Sequence, residues 1–100
     1  MMKVYGSEIC SGCREFKALM ARRGLELEFV EITENVANLR AFLALRDREE
    51  AFAPIRAEGR IGIPAFVRED GAVTLDADEA LNWIGQPPME PAQEGCASCG

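Results

Sequence analysis

Val4-Tyr5-Gly6-Ser7-Glu8-Ile9-Cys10-Ser11-Gly12-Cys13 leads from a short apolar run, through a polar break, to two cysteines three positions apart. Residues 2–6 read as a strand that stops where Gly6-Ser7-Glu8 breaks the pattern. Beyond the break, Cys13, Phe16, Leu19 and Met20 recur at helical spacing with charges between them. Arg22, Arg23 and Gly24 then form an ordinary helix stop. Leu25, Leu27 and Phe29 alternate with Glu26 and Glu28 before Val30 and Ile32, which predicts a second strand. A helical crossover between the two strands makes them parallel, with a right-handed connection. The cysteine pair thus falls on the strand-to-helix turn of a β-α-β unit.

The rest of the chain extends this unit. Thr33 to Asn35 cap a second helix carrying Val36, Leu39, Phe42, Leu43 and Phe52 on one face. Pro54 interrupts it, and residues 53–62 are predicted as a loop with at most one helical turn. Ile63-Pro64-Ala65-Phe66-Val67 reads as a third strand that starts at a proline. Asp70-Gly71 is a hairpin signal between it and an antiparallel fourth strand over residues 72–75. Asp76 to Asp78 cap a last helix, residues 79–84, which offers Leu81, Trp83 and Ile84 for burial before Gly85. The predicted order is β-α-β-α-β-β-α, an α/β fold with a four-stranded mixed sheet flanked by helices. Residues 1–86 make this domain. Residues 87–100 differ in kind: they hold three of the five prolines and end in Cys96-Ala97-Ser98-Cys99, so they read as a semi-rigid arm.

Composition narrows the chemistry. At 100 residues the chain is a single domain able to form a core without metal or disulfide staples. No apolar run approaches the roughly 18 residues of a membrane span, and Met1 to Tyr5 has no signal-like apolar stretch. A cytoplasmic monomer without a membrane partner is expected. Residues 1–68 carry 11 basic against 10 acidic side chains, whereas residues 69–100 carry 7 acidic and no basic ones. Without a basic stripe, nucleic acid is not an expected partner. The strip Glu26, Glu28, Glu31 and Glu34 reads as a solvated face. There is no histidine, which removes Ser/Cys–His catalysis, imidazole ligands and a histidine base together.

Cysteine chemistry remains. At a helix start, free N–H groups and the positive end of the dipole favour an anion, here the Cys10 thiolate. Cys13 comes one turn later on the same face, placed to close a disulfide with Cys10, and Arg14 and Lys17 add positive potential. Such a pair exchanges two electrons through a mixed disulfide, with Cys10 as nucleophile and Cys13 as resolving thiol. A reduced, merely packed pair and half of a zinc site are the other readings.

The stretch from Val4 to Cys13 resembles the opening of glutaredoxins, where a strand ends in Tyr and a small residue before Cys-x-x-Cys. Ile63-Pro64-Ala65-Phe66-Val67 is similar to the family's hydrophobic-Pro-x-Phe strand, and Asp70-Gly71 to its hairpin. The resemblance covers roughly residues 2–85. It implies a thioredoxin-like fold and thiol–disulfide oxidoreductase activity, with a disulfide-containing protein or glutathione as partner and no required cofactor. It also implies that Pro64 is cis beside the cysteines, leaving the Ile63 backbone open to a peptide or to glutathione. Tyr5, Ile63, Pro64 and Asp78 are the substrate-binding residues it suggests, with Lys3 or Arg14 meeting a carboxylate. Tyr5 as a plain strand aromatic and Asp78 as an ordinary helix cap are the alternatives. Two features depart from the family pattern: Ser11-Gly12 replaces Pro-Tyr, and Thr74-Leu75-Asp76 stands where Gly-Gly is usual.

Three readings compete for Cys96 and Cys99. They form a tethered dithiol that relays electrons to or from Cys10–Cys13, since residues 86–95 span up to roughly 30 Å when extended. Or Cys10, Cys13, Cys96 and Cys99 hold zinc or an iron–sulfur cluster. Zinc pairs usually lie about 15–20 residues apart, whereas 82 residues intervene here. In the third, they form a local disulfide or remain thiols without a coupled role.

Overall fold

The computed structural model describes residues 1–89, and strand β1, Lys3–Gly6, is central to it. Strand β2, Glu28–Glu31, lies parallel to β1, with Lys3 opposite Glu28 and Gly6 opposite Glu31. On the other side, β3, Ala65–Val67, runs antiparallel to β1, and β4, Val73–Thr74, antiparallel to β3. The sheet order β2-β1-β3-β4 is the expected four-stranded mixed sheet. Helices α1 (Ser11–Arg23), α2 (Val36–Arg48), α3 (Ala53–Glu58) and α4 (Ala77–Trp83) complete the α/β fold, with a 3-10 turn at Glu50–Phe52.

Alternation along β1 sorts the core into two layers. Met2 and Val4 join Phe16, Leu19, Phe66, Ala80 and Leu81, beneath α1 and α4. Tyr5 joins Ile32, Phe42, Leu45, Phe52, Ile55, Ile63 and Ala65, beneath α2 and α3. Edge-to-face rings seal each layer: Phe16 and Phe66 have centroids 4.9 Å apart, and Phe42 and Phe52 5.8 Å. α1 stops at Gly24, whose φ of 65° lets Leu25 N–H donate to the Met20 carbonyl at 2.9 Å. The Asn35 side chain starts α2 by accepting from Asn38 N–H at 2.7 Å. Among the described residues, no helix is long and apolar enough to cross a membrane.

Several expectations are corrected. β2 begins at Glu28 rather than Leu25, because β1 begins at Lys3 and offers earlier residues no strand to pair with; Leu25 and Leu27 pack on the α1–α4 layer instead. α2 buries Phe42 and Leu45, whereas Val36, Leu39 and Leu43 are 67, 40 and 40 % exposed. At 3.6 residues per turn the exposed stripe lies about 120° round the helix from the buried one. Residues 53–58 form a helix, not a loop: Pro54 sits in its first turn, where no backbone donor is needed, and Ile55 is buried. The third strand starts at Ala65, after Ile63 and Pro64. Asp76, not Asp78, caps α4, accepting from Asp78 N–H at 3.0 Å. Trp83 is only half-buried, with the Arg68 guanidinium 4.8 Å from its ring centroid.

Candidate functional site

β1 delivers the chain to one end of the sheet, and three features hold the turn that follows. Cys10 N–H donates to the Ser7 carbonyl at 3.1 Å, which closes the turn. Cys10 has extended backbone as the residue before α1, and its carbonyl accepts the first helical bond from Arg14 N–H at 3.0 Å. From α1, Arg14 Nη1 reaches back to the Glu8 carbonyl at 2.8 Å, and Lys17 pairs with the Glu8 carboxylate.

The third hold comes from β2. Because Gly6 pairs with Glu31, the Glu31 carboxylate lies level with the loop after β1. It accepts from Glu8 N–H at 3.0 Å, from Thr33 N–H at 3.3 Å and from the Thr33 hydroxyl. Behind it, the buried Ser7 hydroxyl lies 3.0 Å from Thr33 Oγ1 and accepts from Ile9 N–H at 3.3 Å. Burial pushes the Glu31 carboxyl up, but the Thr33 and Ser7 hydroxyls and the Glu8 and Thr33 amides outweigh it, so its pKa is lowered. Within the acidic strip Glu26, Glu28 and Glu34 are exposed as expected, whereas Glu31 is half-buried and engaged by the loop after β1. It was legible in principle, since the parallel crossover makes the end of β2 level with the end of β1.

A carboxyl lowered in the folded state stabilises fully above its unfolded pKa, and that stability is lost as pH falls through the folded value. Glu31→Gln should thus cost about 1 kcal/mol or less at neutral pH, solvent screening keeping it low in the range for charged hydrogen bonds. Urea unfolding at several pH values checks this. The gap from wild type should close as pH drops below the ordinary carboxylate range, and a gap that persists unchanged there would refute the assignment.

The two cysteines are placed differently. Cys10 is half-buried, with Sγ 3.9 Å from the Ile63 carbonyl oxygen across the turn. Cys13 is fully buried. It presses on Gly6 so closely that a Cβ there would lie 2.8 Å from Cys13 Sγ. The Ile63–Pro64 bond is cis. Antiparallel pairing of Tyr5 with Ala65 puts these residues at the same end of the sheet as Cys10. Ile9 beside Cys10 is 79 % exposed and Ile61 54 %.

The other residues singled out by sequence lie elsewhere or are engaged. Tyr5 is buried under α2, its ring 6.2 Å from that of Phe42. It also lines a cavity of about 330 Å³ with Met1, Lys3, Leu45, Val67 and Arg68, towards the opposite end of β1. Lys3 is therefore remote from the cysteines. Asp78 is exposed, and its Oδ1 accepts from Met89 N–H at 3.0 Å. Cys96 and Cys99 lie outside the described residues. Among those that are described, no group of three or more Cys, Asp or Glu side chains could hold a metal ion. Gly6 was read only as the small residue that ends the first strand; the structure adds that Cys13 Sγ packs against it.

The chain is similar to an uncharacterized protein of Haemophilus influenzae, 36 % identical over 73 residues that span 73 % of this chain and 85 % of the relative. No protein-family model matches the chain. No solved structure matches it.

Proposed function

The chain belongs to the same family as that Haemophilus protein, and we propose that it is a thiol–disulfide oxidoreductase of glutaredoxin type on a thioredoxin-like fold. The observation that carries this reading is the asymmetry of the cysteine pair: Cys10 half-buried before a helix, Cys13 fully buried one turn on. A dithiol reductant needs one sulfur that meets substrate and one that does not. The Cys10 thiolate, favoured by the α1 N-terminus, attacks a substrate disulfide and releases one substrate thiolate. Cys13 then attacks Cys10 Sγ in the mixed disulfide, releasing the second thiolate and leaving a Cys10–Cys13 disulfide. Two electrons pass to the substrate.

Substrate would lie along Ile63 and Pro64, where the Ile63 carbonyl already faces Cys10 Sγ. The exposed Ile9 and Ile61 suit an apolar segment of a disulfide-containing protein. Glutathione stands as the second candidate substrate; Asp78, whose Oδ1 already accepts from Met89 N–H, would meet its amine through the other oxygen.

A redox titration of anaerobically purified protein tests this, each cysteine read by differential alkylation and mass spectrometry. Cys10 and Cys13 should oxidise together and reversibly between roughly −270 and −200 mV, the range of thioredoxins and glutaredoxins. Four thiols that resist oxidation and alkylation until a chelator is added would replace the oxidoreductase by a zinc or iron–sulfur carrier.

A further inference from the structure

The helix α2 covers its face of the sheet unevenly. Lys3 and Tyr5 share that face of β1, because strand side chains alternate, and β3 sets Val67 opposite Lys3 and Ala65 opposite Tyr5. Phe42 of α2 meets the Tyr5 ring, and Leu45, nearly one turn on, is the last residue the helix buries. Past Leu45 a cavity of about 330 Å³ opens between α2, the start of β1 and the hairpin after β3. Small-molecule sites occupy roughly 300–1,000 Å³.

The Tyr5 hydroxyl opens into this space. Tyr5 is only 7 % exposed, yet its hydroxyl has no hydrogen-bond partner among the described residues. No fully buried side-chain oxygen or nitrogen among them is left unpaired, so this oxygen is not sealed in the core. It reaches the cavity that Tyr5 lines. A buried tyrosine hydroxyl usually finds a partner, and Phe42 and Phe52 show that plain rings fill the same layer. Lys3 supplies charge at the same cavity. It is exposed and makes no ion pair among the described residues, although Glu28 stands opposite it on β2. The other charged groups lining the cavity are engaged. The Glu69 carboxylate pairs with the Met1 ammonium. The Arg68 guanidinium is held by Asp70 at 2.9 and 3.0 Å and lies over the Trp83 ring.

We infer that this cavity binds a small molecule that carries a single carboxylate on an apolar body. The Tyr5 hydroxyl donates to one carboxylate oxygen, and the Lys3 ammonium pairs with the same group. The apolar body packs between Leu45 and Val67. A single negative charge suits one unpaired cation, whereas a dianion such as phosphate would find no second partner and would lie beside Glu69. Neither Cys10 nor Cys13 takes part, so the inference stands apart from the redox reading. Lys3 lies three strand residues before Gly6, the neighbour of Cys13, a separation of roughly 10 Å along β1.

The test titrates hydrocinnamate into the isotope-labelled 100-residue protein and follows backbone amide shifts by NMR. Its neutral amide and inorganic phosphate serve as comparison probes. Saturable shifts at Lys3, Tyr5, Leu45 and Val67 are expected, with weaker binding of both comparison probes. Tyr5→Phe keeps the ring in its layer and should weaken hydrocinnamate about tenfold, through the loss of a hydrogen bond to a charged group. Lys3→Met should weaken it about threefold, an exposed ion pair being worth less. Shifts centred instead on Ile9, Cys10 and Ile63 would move binding to the cysteine turn and overturn the site. Equal affinity for the amide or for phosphate would overturn the ligand class. Affinity that either Tyr5→Phe or Lys3→Met leaves unmoved, or shifts that never saturate, would overturn the inference as a whole.

Discussion

Cys10→Ser should bring reduction of a small aromatic disulfide down to the rate of buffer alone, while the protein keeps its fold. A serine hydroxyl is a poor nucleophile until a base takes its proton, and this chain has no histidine to do so. Cys13→Ser should behave differently. Cys10 remains able to attack, but the sulfur that would release the product is gone, so a mixed disulfide with substrate accumulates. Intact mass spectrometry reads it as a stable addition that alkylation of the free thiols does not remove. In the proposed reaction the burial difference sets the order of events: of these two cysteines, Cys13 is fully buried and Cys10 half-buried, so Cys10 is the one to meet a disulfide from solution. If Cys10→Ser trapped substrate and Cys13→Ser silenced turnover, the two roles would be exchanged. If both variants turned over like wild type, the pair would have no part in the chemistry.

What could be read in advance follows from where local rules suffice. The β1–turn–α1 segment was legible because a period-two run, a polar break and a helical run follow one another, each with its own stop signal. The hairpin was legible for a similar reason: Gly71 takes φ 98°, and Arg68 N–H closes on the Ala72 carbonyl at 2.8 Å. The face of α2 was not, because its five large apolar side chains leave two stripes of similar strength, and only docking against Tyr5 and Phe52 selects Phe42 and Leu45. Pro54 misled for a definite reason: a proline ends a helix from its interior yet begins one from its first turn, and the sequence shows only the residue. The partners of Glu31 and Asp78 were harder to read, because most are backbone amides, which carry no residue-type signal; only the level ends of the parallel β1 and β2 pointed to Glu31. The cysteine turn was thus visible, whereas the groups that hold it emerge only once the strands are paired.

Gly6 is where register and chemistry meet most closely, and Gly6→Ala should be costly for so small a change. The added Cβ would lie 2.8 Å from Cys13 Sγ, 3.0 Å from Phe29 Cζ and 3.3 Å from Cys13 Cβ. Two effects oppose each other. Alanine restricts the unfolded chain and so favours folding by about 0.4–1 kcal/mol. Overpacking a filled core costs about 1–3 kcal/mol, and Cys13 is fully buried with little room to yield. The clash wins, leaving a net loss of about 1–2 kcal/mol by urea unfolding. On the proposed reading the displaced atom is the resolving sulfur, so release of substrate from Cys10 should also slow, and the mixed disulfide should become detectable without changing Cys13 itself. A double-mutant cycle isolates the contact. In a Cys13→Ala background the nearest atom is gone, so Gly6→Ala should cost clearly less, with Phe29 Cζ and the Cβ retained at position 13 accounting for the remainder. An equal cost in both backgrounds would mean that Gly6 is required for the strand alone and not for the seating of Cys13.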